Sequence, residues 1–258
     1  MIFGVFAAFL FAILPKVQKE GKKAFVDPEL WRSHGFDFKA PWRKLLAYGF
    51  LAGAVTVASI AVVEVAFGPS YVRHPLSIQD IVERLFKGFL SGTIIGVIEE
   101  FFFRGIIFIT LSRKLNVWVS VALTSTFYSL SHFFDNGKIF IPQNPTTRDA
   151  VRLLFGYLEP ITWHSSAVLP QFVGLLLFGI LLNFAFIRTR SLFLSIGVHA
   201  GAVFLIKSQY SFVRQPFEGY HSLFGGNPYY DGPVEWLFLI FLGGMICLGT
   251  KNFLESRI

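Results

Sequence analysis

The chain has 258 residues, 53% of them hydrophobic and 15% charged, with 32 Phe and a formal net charge of +7. Soluble domains carry about 25% charged residues. With a mean hydropathy of +0.57, this chain cannot cover a water-facing surface, which excludes a cytosolic enzyme, a nucleic-acid-binding domain and a disordered tail. Its basic residues lie between apolar runs, where their natural partner is anionic membrane lipid. The lone Cys247 sits in an apolar run and permits no intramolecular disulfide.

A hydrocarbon core of about 30 Å needs roughly 20 apolar residues of helix. Runs of that kind occupy 2–14, 45–67, 88–111, 117–134, 170–187, 191–206 and 234–250. The expectation is an all-α polytopic membrane bundle of about seven spans, folded as a single domain over 1–258. The first run is short, and Pro15 closes it. Segment 1–44 combines that run with a basic stretch. There Asp27-Pro28-Glu29 reads as a helix start, and Trp31 and Trp42 suit a helix in the headgroup layer, a solvated basic loop being the plainer alternative.

Loop charge orients the bundle. Segments 16–44, 112–116, 188–190 and the tail hold 14 Lys and Arg; 68–87, 135–169 and 207–233 hold eight. The richer side is expected to be cytoplasmic, with the N-terminus outside. Gly88, Gly92 and Gly96 form a small-residue stripe for close helix packing, repeated more weakly at Gly49 and Gly53 and around Gly244.

Ionisable groups inside a span are functional hypotheses by default. The third run carries Glu99, Glu100 and Arg104. Glu100 and Arg104 share a helical face in the favourable order of acid before base. Glu99 points about 100° away and has no partner on its own helix, which suits a general base or a proton carrier. His132 and His199 lie in two further runs. Measured from the cytoplasmic end at about 1.5 Å per residue, Glu99, His132 and His199 lie about 18, 22 and 12 Å deep. A lone intramembrane histidine is more often an interhelical hydrogen-bonder. Three helices that bring a carboxylate and two imidazoles to one level point to an active or ion site. Glu64, near the end of its run, is expected to snorkel, and Asn183 to bond across helices.

No His-Glu-x-x-His, Gly-x-Ser-x-Gly, Gly-x-Gly-Asp, Walker or dinucleotide motif occurs. What is present resembles the CPBP family of intramembrane proteases, which includes the CAAX prenyl proteases. Glu-Glu-x-x-x-Arg stands unchanged as Glu99, Glu100 and Arg104. Phe-x-x-x-His is met by His132 with Tyr128 in the Phe position. His199 answers the third motif, with Val203 where the family carries Asn or a similar residue. The motifs fall within a core of about 85–206.

The resemblance implies that Glu99 activates the attacking water and that His132 assists it or binds substrate. It implies that His199 completes the polar site while Glu100 and Arg104 lock the helix. The expected partners are membrane lipid and a peptide or lipidated protein, with no nucleic acid, in a bacterial cytoplasmic membrane. Glu99, His132 and His199 could hold a divalent ion such as zinc, or activate water without one; the residues leave both open. A backbone N–H near Gly201 or Ser195 is a candidate substitute for the missing Asn. Two other classes remain: a non-catalytic, immunity-like partner binder, and a proton- or cation-coupled transporter.

Overall fold

The computed structural model describes residues 28–68, 70–72, 77–133, 146–149, 165–209, 212–214, 223–226 and 230–251. Its helices are α1 (Pro28–Ser33), α2 (Trp42–Phe67), α3 (Ile78–Glu100), a π-helical segment (Phe101–Phe108), α4 (Ile109–Ser112), α5 (Val117–Ser131), α6 (Ser165–Thr189), α7 (Leu192–Gln209) and α8 (Pro233–Gly249). The protein is an all-α bundle. Six of the expected apolar runs are helical, and 2–14 lies outside the described residues. By length and composition, Trp42–Phe67, Val168–Thr189 and Leu192–Gln209 can cross a membrane, and Val117–Ser131 and Pro233–Gly249 are shorter apolar helices. The charges expected inside the third run are carried by one rod in which α3, the π segment and α4 follow without a break.

An unforeseen detail is a two-residue antiparallel ribbon pairing Tyr71 with Arg214 and Val72 with Val213. It ties the connection after α2 to the one after α7. A ribbon this short has too few residues for the period-2 pattern that would betray it in sequence.

α1 begins at Pro28, whose missing N–H costs nothing in a first turn. Trp31 turns inward rather than lying free, its ring edge-on to Phe36 at 5.6 Å. Ser77 caps α3 by accepting the Asp80 N–H at 3.1 Å. Its hydroxyl also donates to the Asp80 carboxylate at 2.7 Å, and these contacts hold that exposed carboxyl below its ordinary value.

α7 lies at the centre, and each residue from Leu192 to Ala202 is buried. The glycines explain why it can be so enclosed. A Cβ on Gly92 of α3 would sit 2.5 Å from the Ala200 carbonyl oxygen, and one on Gly53 of α2 would sit 2.2 Å from the Val198 carbonyl oxygen. α7 answers with its own glycines: a Cβ on Gly197 would meet the Leu46 oxygen at 2.4 Å, and one on Gly201 the Phe50 oxygen at 2.0 Å. Backbone therefore meets backbone on both flanks of α7, the close approach that small residues permit in a bilayer. Gly244 takes no part in such packing, since a Cβ there meets nothing within 4 Å.

Glu64 departs from its expected snorkelling. It is fully buried, and its carboxylate accepts the Ser70 hydroxyl at 3.2 Å. Asn183 does bond across helices, donating from Nδ2 to the Ser125 hydroxyl at 3.0 Å.

The glycine packing is open to a paired test. Gly201→Ala forces two backbones apart and should lower the thermal midpoint in detergent by about 5 °C, the scale of an overpacked core. Gly244→Ala adds its methyl to open space and should leave the midpoint unchanged.

Candidate active site

The end of α3 lays Glu99 and Glu100 on two faces, and the structure gives them two environments. Glu100 is fully buried. Its Oε1 accepts from Arg104 Nη1 at 2.8 Å and from His199 Nδ1 at 2.8 Å. Arg104, also fully buried, donates from Nη2 to the Gly179 carbonyl of α6 at 2.9 Å. One ion pair thus joins the π segment, α6 and α7. π-helical turns inside α-helices are frequent at functional sites, and this one begins directly after the two glutamates.

Glu99 faces a different group of residues. Its Oε2 lies 4.0 Å from His132 Nε2 and 3.9 Å from His199 Nε2. The three residues read as a site from sequence are therefore together. Those separations exceed a direct hydrogen bond, and Glu99 Oε2 is buried with no hydrogen-bond partner among the described residues.

The ring nitrogens can be assigned from their partners. His132 Nδ1 lies 2.8 Å from the Tyr128 carbonyl, which can only accept, so Nδ1 carries the proton. His199 Nδ1 faces the arginine-paired Glu100 carboxylate and donates likewise. In the neutral rings both Nε2 atoms therefore present lone pairs towards Glu99. Neither neutral ring has an Nε2–H to give.

Tyr128, in the Phe position of the second motif, packs its ring against both histidines. It is buried, 4.6 Å from the His132 ring and edge-on to His199 at 6.1 Å. The Arg104 guanidinium lies 4.9 Å above its centre, a cation–π contact. Phe178 of α6 closes the other side of His199, edge-on at 5.4 Å.

A cavity of about 380 Å³ opens from Glu99, His132 and His199. It runs beside Ile60, Leu175, Val203 and Leu239 to Gln171 and Lys207. Its far members lie late in α7 and early in α6. Val203 lines this cavity, so the departure from the family's Asn falls inside the site. Neither Gly201 nor Ser195, near which a substitute backbone N–H is expected, is among the residues that line the cavity. Sequence reading missed Gln171 and Lys207, both in the cavity wall, because each lies at the border of an apolar run where polar residues are ordinary.

Residues 81–205 match a family model described as type II CAAX prenyl endopeptidase, Rce1-like. Over that stretch the chain is similar to CAAX prenyl endopeptidases. That match covers just under half of the sequence, contains all six site residues, and points to CAAX-type intramembrane protease activity in an integral membrane protein. No curated protein and no solved structure matches the chain. As for metal in the CAAX-protease-like core, no group of three or more His, Cys, Asp or Glu among the described residues is spaced to hold an ion.

The ion pair makes a sharp stability prediction. Arg104→Met strands a buried Glu100 charge and should cost about 3–5 kcal/mol, seen as a lower melting point in detergent. Adding Glu100→Gln to Arg104→Met should recover part of that loss, so the double variant melts above the single.

Proposed function

We propose that the protein is an intramembrane endopeptidase that hydrolyses a peptide bond of a membrane-associated peptide or lipidated protein. The observation that carries this reading is the convergence of Glu99 Oε2 with the Nε2 atoms of His132 and His199 at the inner end of an apolar cavity. The fold is one membrane domain over 1–258, in a bacterial cytoplasmic membrane with the N-terminus outside, and the cavity then opens on the outer side.

A water in the gap donates one hydrogen to Glu99 and the other to a histidine Nε2. Glu99 takes the first proton as the water oxygen attacks the scissile carbonyl carbon, so the carbonyl oxygen becomes the oxyanion. His132, about a quarter exposed in the cavity, donates to that oxyanion when protonated. His199 is fixed by Glu100 and keeps the water in place. The proton on Glu99 then passes to the leaving amine as the C–N bond breaks. Each step uses a carboxylate in a water-poor cavity, where a preorganised charge acts more strongly than in bulk water. The residues satisfy this chemistry without a metal, and the zinc alternative is decided by a chelator.

A non-catalytic, partner-binding role is favoured by one observation. Val203, on the turn of α7 after His199, gives the cavity a methyl surface where the family offers a polar group.

Purified protein in lipid, given a mixed set of plain and lipidated peptides, should yield defined products by mass spectrometry. Glu99→Gln should lower cleavage at least about 1,000-fold. Cleavage that survives Glu99→Gln would overturn the assignment of the base, and a wild type that cuts nothing would favour the partner-binding role. Loss of cleavage in chelator, restored by zinc, would put an ion at Glu99, His132 and His199.

Orientation is checked separately. In a Cys247→Ser background, Thr146→Cys should label from outside intact cells and Lys22→Cys only after the membrane is opened. Labelling of both from one side would reverse the assignment.

A further inference from the structure

We propose that the Tyr128 hydroxyl is the neutral hydrogen-bond donor to the oxyanion and fills the role that Val203 leaves open. This inference rests on the endopeptidase reading above.

The two departures from the family's motifs, Tyr128 and Val203, both line the cavity that holds Glu99, His132 and His199. They are complementary. A Tyr in a Phe position adds one hydroxyl, and a Val in an Asn position removes one amide. Without that amide the neutral rings offer no donor to the cavity, because the Nδ1 protons of His132 and His199 are spent on the Tyr128 carbonyl and on Glu100.

The Tyr128 backbone oxygen is occupied, accepting from Ser131 Oγ at 2.7 Å and from His132 Nδ1 at 2.8 Å. Its hydroxyl makes no hydrogen bond among the described residues. Nor is it one of the sealed polar atoms of this site, which are Glu99 Oε2, Glu100 Oε2 and Arg104 Nε. The residue is 1% exposed, so the cavity is the space on which the hydroxyl opens. A buried donor without a partner is costly, and a substrate oxygen would relieve it. The ring is held in place, edge-on to Phe103 at 5.0 Å and to His199 at 6.1 Å, with the Arg104 guanidinium 4.9 Å from its centre. A donor so fixed needs no reorganisation as charge develops.

Other donors of the cavity wall are engaged or distant. Thr56 gives its hydroxyl hydrogen to Ala52 O at 2.8 Å. Lys207 comes eight residues after His199, and Gln171 seven residues before Phe178, each about 10–12 Å away along its helix. As the water oxygen bonds to the carbonyl carbon, the π pair moves to the carbonyl oxygen and the Tyr128 O–H donates to it. The phenol keeps its proton throughout, and Glu99 alone takes one up and returns it to the leaving amine.

Tyr128→Phe keeps the ring and removes only the hydroxyl. On the peptides that wild type cuts, it should lower kcat about 100-fold, the scale of one oxyanion donor, with KM within about twofold. Its melting point should match wild type, since no bond within the protein is lost. Adding Val203→Asn to Tyr128→Phe should recover at least about tenfold in kcat, while Val203→Asn alone should gain less than about threefold. A loss carried by KM, or accompanied by a lower melting point, would assign Tyr128 to packing and overturn the donor. Unchanged kcat in Tyr128→Phe would overturn it and leave the endopeptidase standing.

Where wild type cuts nothing, binding decides. The probes are a fluorescent Ala-Val-Leu-Ala peptide and its analogue with a phosphinate in place of the Val-Leu amide. Both are measured on Glu99→Gln, which removes the charge that opposes an anion. The phosphinate should bind at least about tenfold more tightly than the amide, and Tyr128→Phe in that background should abolish the preference. That result without cleavage would uphold the donor and sink the endopeptidase reading. Absence of a Tyr128-dependent preference would then overturn both.

Discussion

The site depends on the Glu100 carboxylate, whose Oε1 receives hydrogen bonds from both Arg104 and His199. A buried carboxylate is tolerable only when its charge is met and its lone pairs are used. Arg104 meets the charge, and the remaining acceptor capacity then falls on the imidazole of a different helix. His199 gains a fixed orientation and a fixed tautomer from this contact. The effect resembles the outer partners of metal-bound histidines, which orient the ring by taking the proton on its other nitrogen. Here the ring so oriented faces a second carboxylate, Glu99, which carries no ion-pair obligation to Arg104.

That division of labour needs α7 to be held closely between two helices, because His199 must reach α3 from the centre of the bundle. The glycines of α2, α3 and α7 meet that need. They remove the Cβ atoms that would otherwise strike backbone oxygens 2.0–2.5 Å away. Lipid offers no hydrophobic drive for helix association, so packing geometry must supply it. The same glycines that assemble the bundle therefore set the distance between Glu99 and His199.

Much of this was legible in the sequence because membranes make polar residues conspicuous. Glu99, Glu100, Arg104, His132 and His199 stood out against apolar runs, and the 100° step between successive helical residues already separated Glu99 from the Glu100–Arg104 pair. The stripe Gly88, Gly92 and Gly96 announced a packing face, although not that α7 was its partner. Other features had no local signal. Glu64 lies one turn from the end of α2, so position alone favoured snorkelling; its burial depends on Ser70, contributed by the following connection. The π turn after Glu100 and the tautomers of both histidines are set by contacts between helices. Lys207 and Gln171 were hidden for the opposite reason, since a polar residue where an apolar run ends attracts no notice.

Val203 brings these threads together. An Asn one turn after His199 would offer a donor inside the cavity, whereas Val203 presents methyl groups to the space that the Nε2 lone pairs face. Because both Nδ1 protons are committed, to the Tyr128 carbonyl and to Glu100, the change at Val203 leaves no N–H of the neutral rings facing the cavity.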